Sequence, residues 1–287
     1  MKIFVSGATG AQGGSIANKL ILSEHSVVTL SSKENTEVPV EVIKGDFNSS
    51  EAIARALNGV DAAVFTLPLL FDMLLAESYA KNFVAAAKNK HVPLVVFNTS
   101  FDLAEKESGM IAIDIKVRIK KIFDSSGLNI ITLVPDIYLD NFTAPWSIPV
   151  ILNDGLLPYP IASESKVPFI SLSDLGNYVA AAVIKPNLAG KILPIGGNLL
   201  TGEEIAASIS SHINKTVHFL SVSPNDFEKQ LVPAFGELAA REVSNLYRYV
   251  EQNNSELCEK DFKQTQFLLS VRPQSLNDWV ESVDWLN

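Results

Sequence analysis

A doubly wound parallel α/β sheet, with a smaller and mostly helical C-terminal lobe, is predicted by three features of this 287-residue chain. Short apolar runs alternate with helix-period segments through the first 135 residues, the pattern of βαβ units with right-handed crossovers. A composition 47% hydrophobic and 19% charged supplies a large core. Four of the 15 glycines fall within residues 7–14, immediately after the first apolar run.

The elements follow in order. Strands are predicted at Lys2–Ser6, Ser26–Leu30, Val40–Lys44, Ala62–Thr66, Pro93–Asn98 and Asn129–Val134. Between them lie helices near Ala11–Leu22, Ser49–Leu57, Asp72–Lys90 and Gly109–Ser125. The Asp72 helix is Ala-rich, with Ala80, Val84 and Ala87 on one stripe. His91 is placed to cap its end. Residues 135–168 carry six prolines interleaved with aromatics, which predicts loops and short helices because proline fixes φ and removes a donor. Helix resumes at Leu175–Ile184 and strand at Lys191–Ile195. From about Thr201 the tail is mostly helical, with one strand at Val217–Val222, and Trp279 and Trp285 anchor its last helix. A dinucleotide-binding domain is thus expected over 1–135 plus about 166–199, and a substrate or variable lobe over about 136–165 and 200–287.

Composition excludes several classes of function. The net charge of −9 argues against a broad grip on nucleic acid. A single cysteine, Cys258, rules out a disulfide framework, and its acidic neighbours Glu256 and Glu259 argue against a nucleophile. The four histidines show no metal-ligand spacing, so no metal is expected. No run of about 20 apolar residues predicts a membrane span, and Ile3-Phe4-Val5 is too short for a secretory signal, so a cytoplasmic location is expected. Residues 200–287 carry −6 of the −9, which keeps most of the negative charge away from the glycine-rich turn.

Gly7, Gly10 and Gly13 form G-x-x-G-x-x-G between the first strand and the first helix. Glycine permits a tight turn and lets the backbone approach a pyrophosphate, while the helix N-terminus presents free N–H groups and the positive end of its dipole. The strand–turn–helix context favours a dinucleotide site over a plain turn. At the end of the second strand, where an acidic residue would take the ribose hydroxyls of NAD, stand Ser31, Ser32 and Lys33. These suit a 2′-phosphate and favour NADP over NAD, although Glu34 follows. Asp46 is a candidate acceptor for the adenine amino group, or equally a turn or N-cap residue. Further candidates for cofactor contact are Thr9, Ala11 and Gln12 in the loop, Phe47 beside Asp46, and Thr66, Leu67, Pro68, Asn98, Thr99 and Pro135.

The segment Gly7-Ala8-Thr9-Gly10-Ala11-Gln12-Gly13 resembles the first turn of the atypical short-chain dehydrogenase/reductase superfamily, in its NmrA-like branch. Val42–Asp46, Leu133–Phe142 and Phe169–Gly176 are similar to later segments of that branch. The likeness covers most of residues 1–200, and the tail matches only in length and helical character. It implies a Rossmann-type fold and a family of quinone and isoflavone-type reductases that also includes NADP-binding regulators.

The superfamily's Tyr-x-x-x-Lys helix reads Ala112-Ile113-Asp114-Ile115-Lys116 here, so the lysine is present and the tyrosine is absent. In the usual arrangement both side chains share one helical face and the lysine lowers the phenol's pKa. The resemblance implies that Lys116 contacts the nicotinamide ribose; the competing reading is a solvated lysine in the run with Arg118, Lys120 and Lys121. A proton must then come from elsewhere. Tyr138 is the candidate beside Lys116, since Thr99 and Ser100 lack an evident base. Ser100, Phe101, Tyr138, Asn141, Phe142, Trp146 and Phe169 are the candidate substrate contacts, either an aromatic wall or ordinary core. Two functions are expected in order: an NADPH-dependent reductase of a small quinone-like or conjugated carbonyl compound, and a redox-sensing regulator that binds NADP and acts through a protein partner.

Overall fold

The computed structural model describes residues 1–32, 39–145 and 147–285. The chain divides into two compact units, residues 1–135, 172–195 and 262–271, and residues 136–171, 196–261 and 272–287.

The chain begins with β1 (Lys2–Val5), α1 (Ala11–Leu22), β2 (Ser26–Ser31), β3 (Glu41–Lys44), α2 (Ser50–Ala56), β4 (Ala62–Thr66), α3 (Met73–Asn89), β5 (Val95–Asn98), α4 (Ile111–Asp124) and β6 (Ile130–Pro135). The middle holds β7 (Ile137–Tyr138), a 3-10 turn (Leu139–Thr143), α5 (Ser147–Pro149), a π-helical turn (Val150–Asp154), β8 (Leu156–Tyr159) and β9 (Val167–Ile170). It continues with α6 (Leu172–Val183), β10 (Ile192–Ile195), β11 (Asn198–Leu200), α7 (Gly202–Ile213), β12 (His218–Ser221), α8 (Pro224–Cys258), α9 (Phe262–Leu269) and α10 (Leu276–Ser282).

In the first unit seven parallel strands run in the order β3-β2-β1-β4-β5-β6-β10. The order reverses between β1 and β4, and in open α/β sheets ligands bind outside the carboxyl ends of the strands at such a switch point. Helices α2, α3 and α4 bury their apolar stripes on one face. There Phe4, Phe47, Phe65, Phe83, Phe97 and Phe123 form a ring cluster. Helices α1 and α6 cover the other face and pack closely. A Cβ on Gly176 would stand 2.9 Å from the Ser15 carbonyl oxygen, and Ser15 donates to the Leu172 carbonyl at 2.6 Å. The predicted strands and helices of residues 1–135 are all present, with ends moved by one or two residues. His91 caps α3 through its backbone: at φ +52° its N–H reaches the Lys88 carbonyl, and that of Val92 reaches Ala87.

Segment 262–271, expected in the C-terminal lobe, packs in the first unit: α9 lies against β10 and α6, and Lys185 donates to the Leu268 carbonyl at 2.6 Å. The 135–168 segment also departs from the loop-and-short-helix expectation, because β7, β8 and β9 form within it. Pro158 is accommodated because β8 pairs with β12 alone, leaving an edge where a missing N–H costs no ladder bond. Pro168 sits in β9 opposite Leu199 of β11, beyond the reach of the short β7. In the second unit Trp279 and Trp285 meet edge to face at 5.8 Å, and the Trp285 indole donates to the Val280 carbonyl.

Candidate functional site

The glycine loop has the division of labour that a phosphate turn needs. Gly7 carries φ +66°, and the Gly10 N–H returns to its carbonyl at 2.9 Å, closing the turn. A Cβ on Gly13 would lie 2.2 Å from the Gly7 oxygen, so only glycine lets α1 start so close to β1. Gly10 is different: a Cβ there meets nothing nearer than 3.5 Å within the protein. The space beside its Cα is open. Gly10 is also the N-cap of α1 and no side chain caps that helix, leaving its first-turn N–H groups for a ligand. Thr9 and Ala11 are exposed beside them. These residues fit a dinucleotide pyrophosphate.

The strand ends around the loop are wired together. Ser6 donates to the Thr66 carbonyl at 2.8 Å and accepts from the Thr66 N–H at 2.6 Å, pinning β1 to β4 at the switch point. Asn98 at the end of β5 donates to Gln12 Oε1 at 2.9 Å and to the Thr66 hydroxyl at 3.2 Å. Its own oxygen accepts from the Ser100 N–H at 3.0 Å, holding Ser100 at φ +63°. The structure thus brings together Gly7, Gly10, Gln12, Gly13, Thr66 and Asn98. Leu67 is half-buried against the core and Pro68 exposed, both in the loop after β4. Pro135 ends β6 opposite Ile195.

Other candidates have structural roles. The Phe47 ring is core, 5.3 Å from that of Phe65. Asp46 is exposed and accepts from the Asn48 N–H at 2.8 Å, while the N-cap of α2 is Ser49. The Thr99 hydroxyl is committed to the Phe101 and Leu133 carbonyls, at 2.6 and 3.2 Å. Ser31 closes β2 and Ser32 is exposed, whereas Lys33 and Glu34 lie outside the described residues.

Lys116 stands apart from its neighbours on α4. Arg118 pairs with Glu77 and Glu107, Lys120 with Asp124, and Lys121 with Glu107, so those cations are committed to carboxylates. Lys116 is half-buried, folds its ammonium onto the carbonyl of Ala112, and sits 6.0 Å from the centre of the Phe101 ring. Burial pulls its pKa down to about 8, partly offset by Asp102. Asp102, buried in the loop after β5, was not singled out from the sequence; the only signal was an acid two residues beyond Ser100. Asp114, on the same helix, accepts from Ser108 and Gly109 backbone N–H groups and fixes the loop leading into α4.

The second unit holds the remaining candidates. Tyr138, Phe142 and Phe169 are buried, and the Phe142 ring lies 4.5 Å from Tyr159 and 6.0 Å from Phe169. Asn141 borders a cavity of about 290 Å³ and donates to the Tyr159 hydroxyl at 3.0 Å. Trp146 lies outside the described residues. Tyr159 and Tyr247, absent from the candidates read in the sequence, meet hydroxyl to hydroxyl at 2.6 Å. Separated by 88 positions, they left no local signal. The Cys258 thiol is pushed up by burial and by nearby Asp136, in keeping with an inert role. Among the described residues no cluster of His, Cys, Asp and Glu could hold a metal, and no helix is long and apolar enough to cross a membrane.

The family model described as NmrA-like matches residues 1–280. The chain belongs to the NmrA-like family. Membership extends through the C-terminal part, well past the first 200 residues on which the likeness rested. This NmrA-like chain is 21% identical to the triphenylmethane reductase of a Citrobacter species complexed with NADP(H), with a TM-score of 0.77 over 97% of this chain and 99% of that one. A quinone oxidoreductase of Escherichia coli, complexed with NADPH, is 20% identical with a TM-score of 0.75, covering 98% and 99%. NmrA, a negative transcriptional regulator, is 15% identical with a TM-score of 0.74, covering 100% and 99%. These likenesses establish the Rossmann-like fold.

Proposed function

We propose that this NmrA-like chain binds NADP(H) and reduces a small quinone-like or conjugated carbonyl compound. The observation that carries the reading is Lys116: it is the one lysine of the α4 run withdrawn from solvent ion pairs, enclosed beside Phe101 and Asp102. The uncapped start of α1 and the bare Gly10 support a dinucleotide, and the NADP(H) complexes of the two reductases of like fold agree with it. Ser31 and Ser32 favour a 2′-phosphate, as does Lys33.

The nicotinamide, when bound, supplies the hydride. Lys116 holds the ribose or a water and presents a proton near neutrality, Phe101 excludes solvent from the ammonium, and Asp102 favours its charged form. With Ala112 in place of a phenol, Lys116 is the titrating group on this face of α4.

The test is consumption of NADPH across a panel of quinones, enals and azo dyes. Turnover is expected with at least one class, to fall at least tenfold in Lys116→Ala, and to decline as pH rises through about 8 as the ammonium deprotonates. The absent phenol and the NmrA regulator of like fold favour a second reading, an NADP-occupied module acting through a protein partner. No consumption across the panel, together with a partner retained only by the NADP-loaded protein, would replace the first reading with the second.

A further inference from the structure

The phenol pair of the second unit has an uneven count of hydrogen-bond donors and acceptors. Tyr159 and Tyr247 bring two hydroxyl protons, but only one is used between them, because one hydroxyl donates and the other accepts. Asn141 is a donor to Tyr159 and takes up neither proton. Whichever way the pair is oriented, one phenolic proton has no acceptor among the described residues. If Tyr159 donates, the spare proton is on Tyr247; if Tyr247 donates, it is on Tyr159. Both residues are more than nine-tenths buried, where an unused donor is unfavourable. Burial holds both phenols protonated, Tyr159 well above its ordinary range and Tyr247 up to about 12, so the donor persists at any working pH.

Both phenols border the cavity of about 290 Å³. Its walls are otherwise mostly apolar, with Phe227, Leu231, Val150, Val243 and Phe235. The Phe227 ring meets those of Tyr159 and Tyr247 at 6.3 and 5.3 Å, giving an aromatic lining on one side. The size stands at the lower edge of the roughly 300–1,000 Å³ common for small-molecule sites, enough for one or two rings. On the α8 side, Gly236 at φ +78° breaks the helix three residues after Pro233.

We propose that this cavity is a ligand site for a planar, apolar compound with a carbonyl oxygen that accepts the spare phenolic proton of the Tyr159–Tyr247 pair. A carbonyl supplies the acceptor that the pair lacks, and a flat ring suits the aromatic lining. The site lies wholly within the second unit and goes beyond the proposed function. Binding itself requires no nicotinamide.

The experiment is calorimetric titration of the nucleotide-free protein with menadione, a two-ring quinone, and with 2-methylnaphthalene, which has the same ring skeleton and no carbonyl. Menadione is expected to bind at least tenfold more tightly. Either single variant, Tyr159→Phe or Tyr247→Phe, leaves one hydroxyl with a free proton and is expected to bind within about threefold of the parent. The double variant Tyr159→Phe/Tyr247→Phe is expected to lose the preference for menadione while still taking up 2-methylnaphthalene, which also reports that its cavity is folded. Equal affinity of the two compounds for the parent, or an unchanged menadione preference in the double variant, overturns the site. Should the double variant bind neither compound, Leu231→Trp, which fills the cavity from α8, decides: undiminished menadione binding overturns the site and its loss upholds it. NADPH consumption in the absence of menadione selectivity would leave the reductase reading standing and this site refuted. Selective binding without NADPH consumption would do the reverse.

Discussion

Gly10 and Gly13 separate, at the scale of single residues, what a glycine motif does for the fold from what it does for a ligand. A methyl group on Gly13 collides with the Gly7 carbonyl at 2.2 Å, backbone against backbone, with no flexible atom to yield. Gly13→Ala is expected to destabilise the protein by about 1–3 kcal/mol or more, the usual cost of overpacking, and to lower the urea midpoint. Gly10→Ala meets its first neighbour at 3.5 Å and is expected to unfold within about 1 kcal/mol of the parent. On the proposed function its NADPH affinity, read by fluorescence titration, is expected to fall at least tenfold, the added methyl standing where that reading puts the pyrophosphate. Unchanged affinity in Gly10→Ala would remove the loop from the cofactor site. The three glycines were legible because their spacing and flanking strand encode a turn. Asp102 was not, because its effect on Lys116 depends on where the loop after β5 comes to rest.

Elements were legible where each carries its own periodicity. The strands of the seven-stranded sheet are continuous apolar runs, and the α4 stripe of Ile115, Ile119 and Phe123 repeats at helical spacing. The strands β7, β8 and β9 escaped notice because they are two to four residues long and two of them, β8 and β9, contain a proline; pairing of β8 with β12, and of β9 with β7 and β11, makes them strands. The α1–α6 contact is a second case of long-range determination. A Cβ on Gly176 would stand 2.9 Å from the Ser15 carbonyl oxygen and 3.0 Å from Lys19 Cβ, residues 157 or more positions away. Gly176→Val is expected to push the helices apart and lower stability by about 1–3 kcal/mol, seen as a shifted urea midpoint with little change in slope. A midpoint within experimental scatter of the parent would show that the helices part without strain.

At the scale of the molecule, ligand linkage is the most direct global readout. A ligand that binds only the folded chain stabilises it by about 2.7 kcal/mol at a hundredfold excess over its dissociation constant. NADPH is therefore expected to raise the melting temperature by several degrees, and NADH at equal concentration by less; equal shifts would remove the preference for a 2′-phosphate. The order of strands and helices through residue 135, the glycine-rich turn between β1 and α1, and the absence of a phenol four residues before Lys116 are all legible in the sequence, since propensity, periodicity and glycine spacing act over a few residues. Only the tertiary structure decided which lysine of the 116–121 run is enclosed, that residues 262–271 return to the first unit, and that Tyr159 and Tyr247 share a hydrogen bond at 2.6 Å. Each of those facts is a distance between groups far apart in the chain, and burial, desolvation and hydrogen-bond pairing are set by such distances.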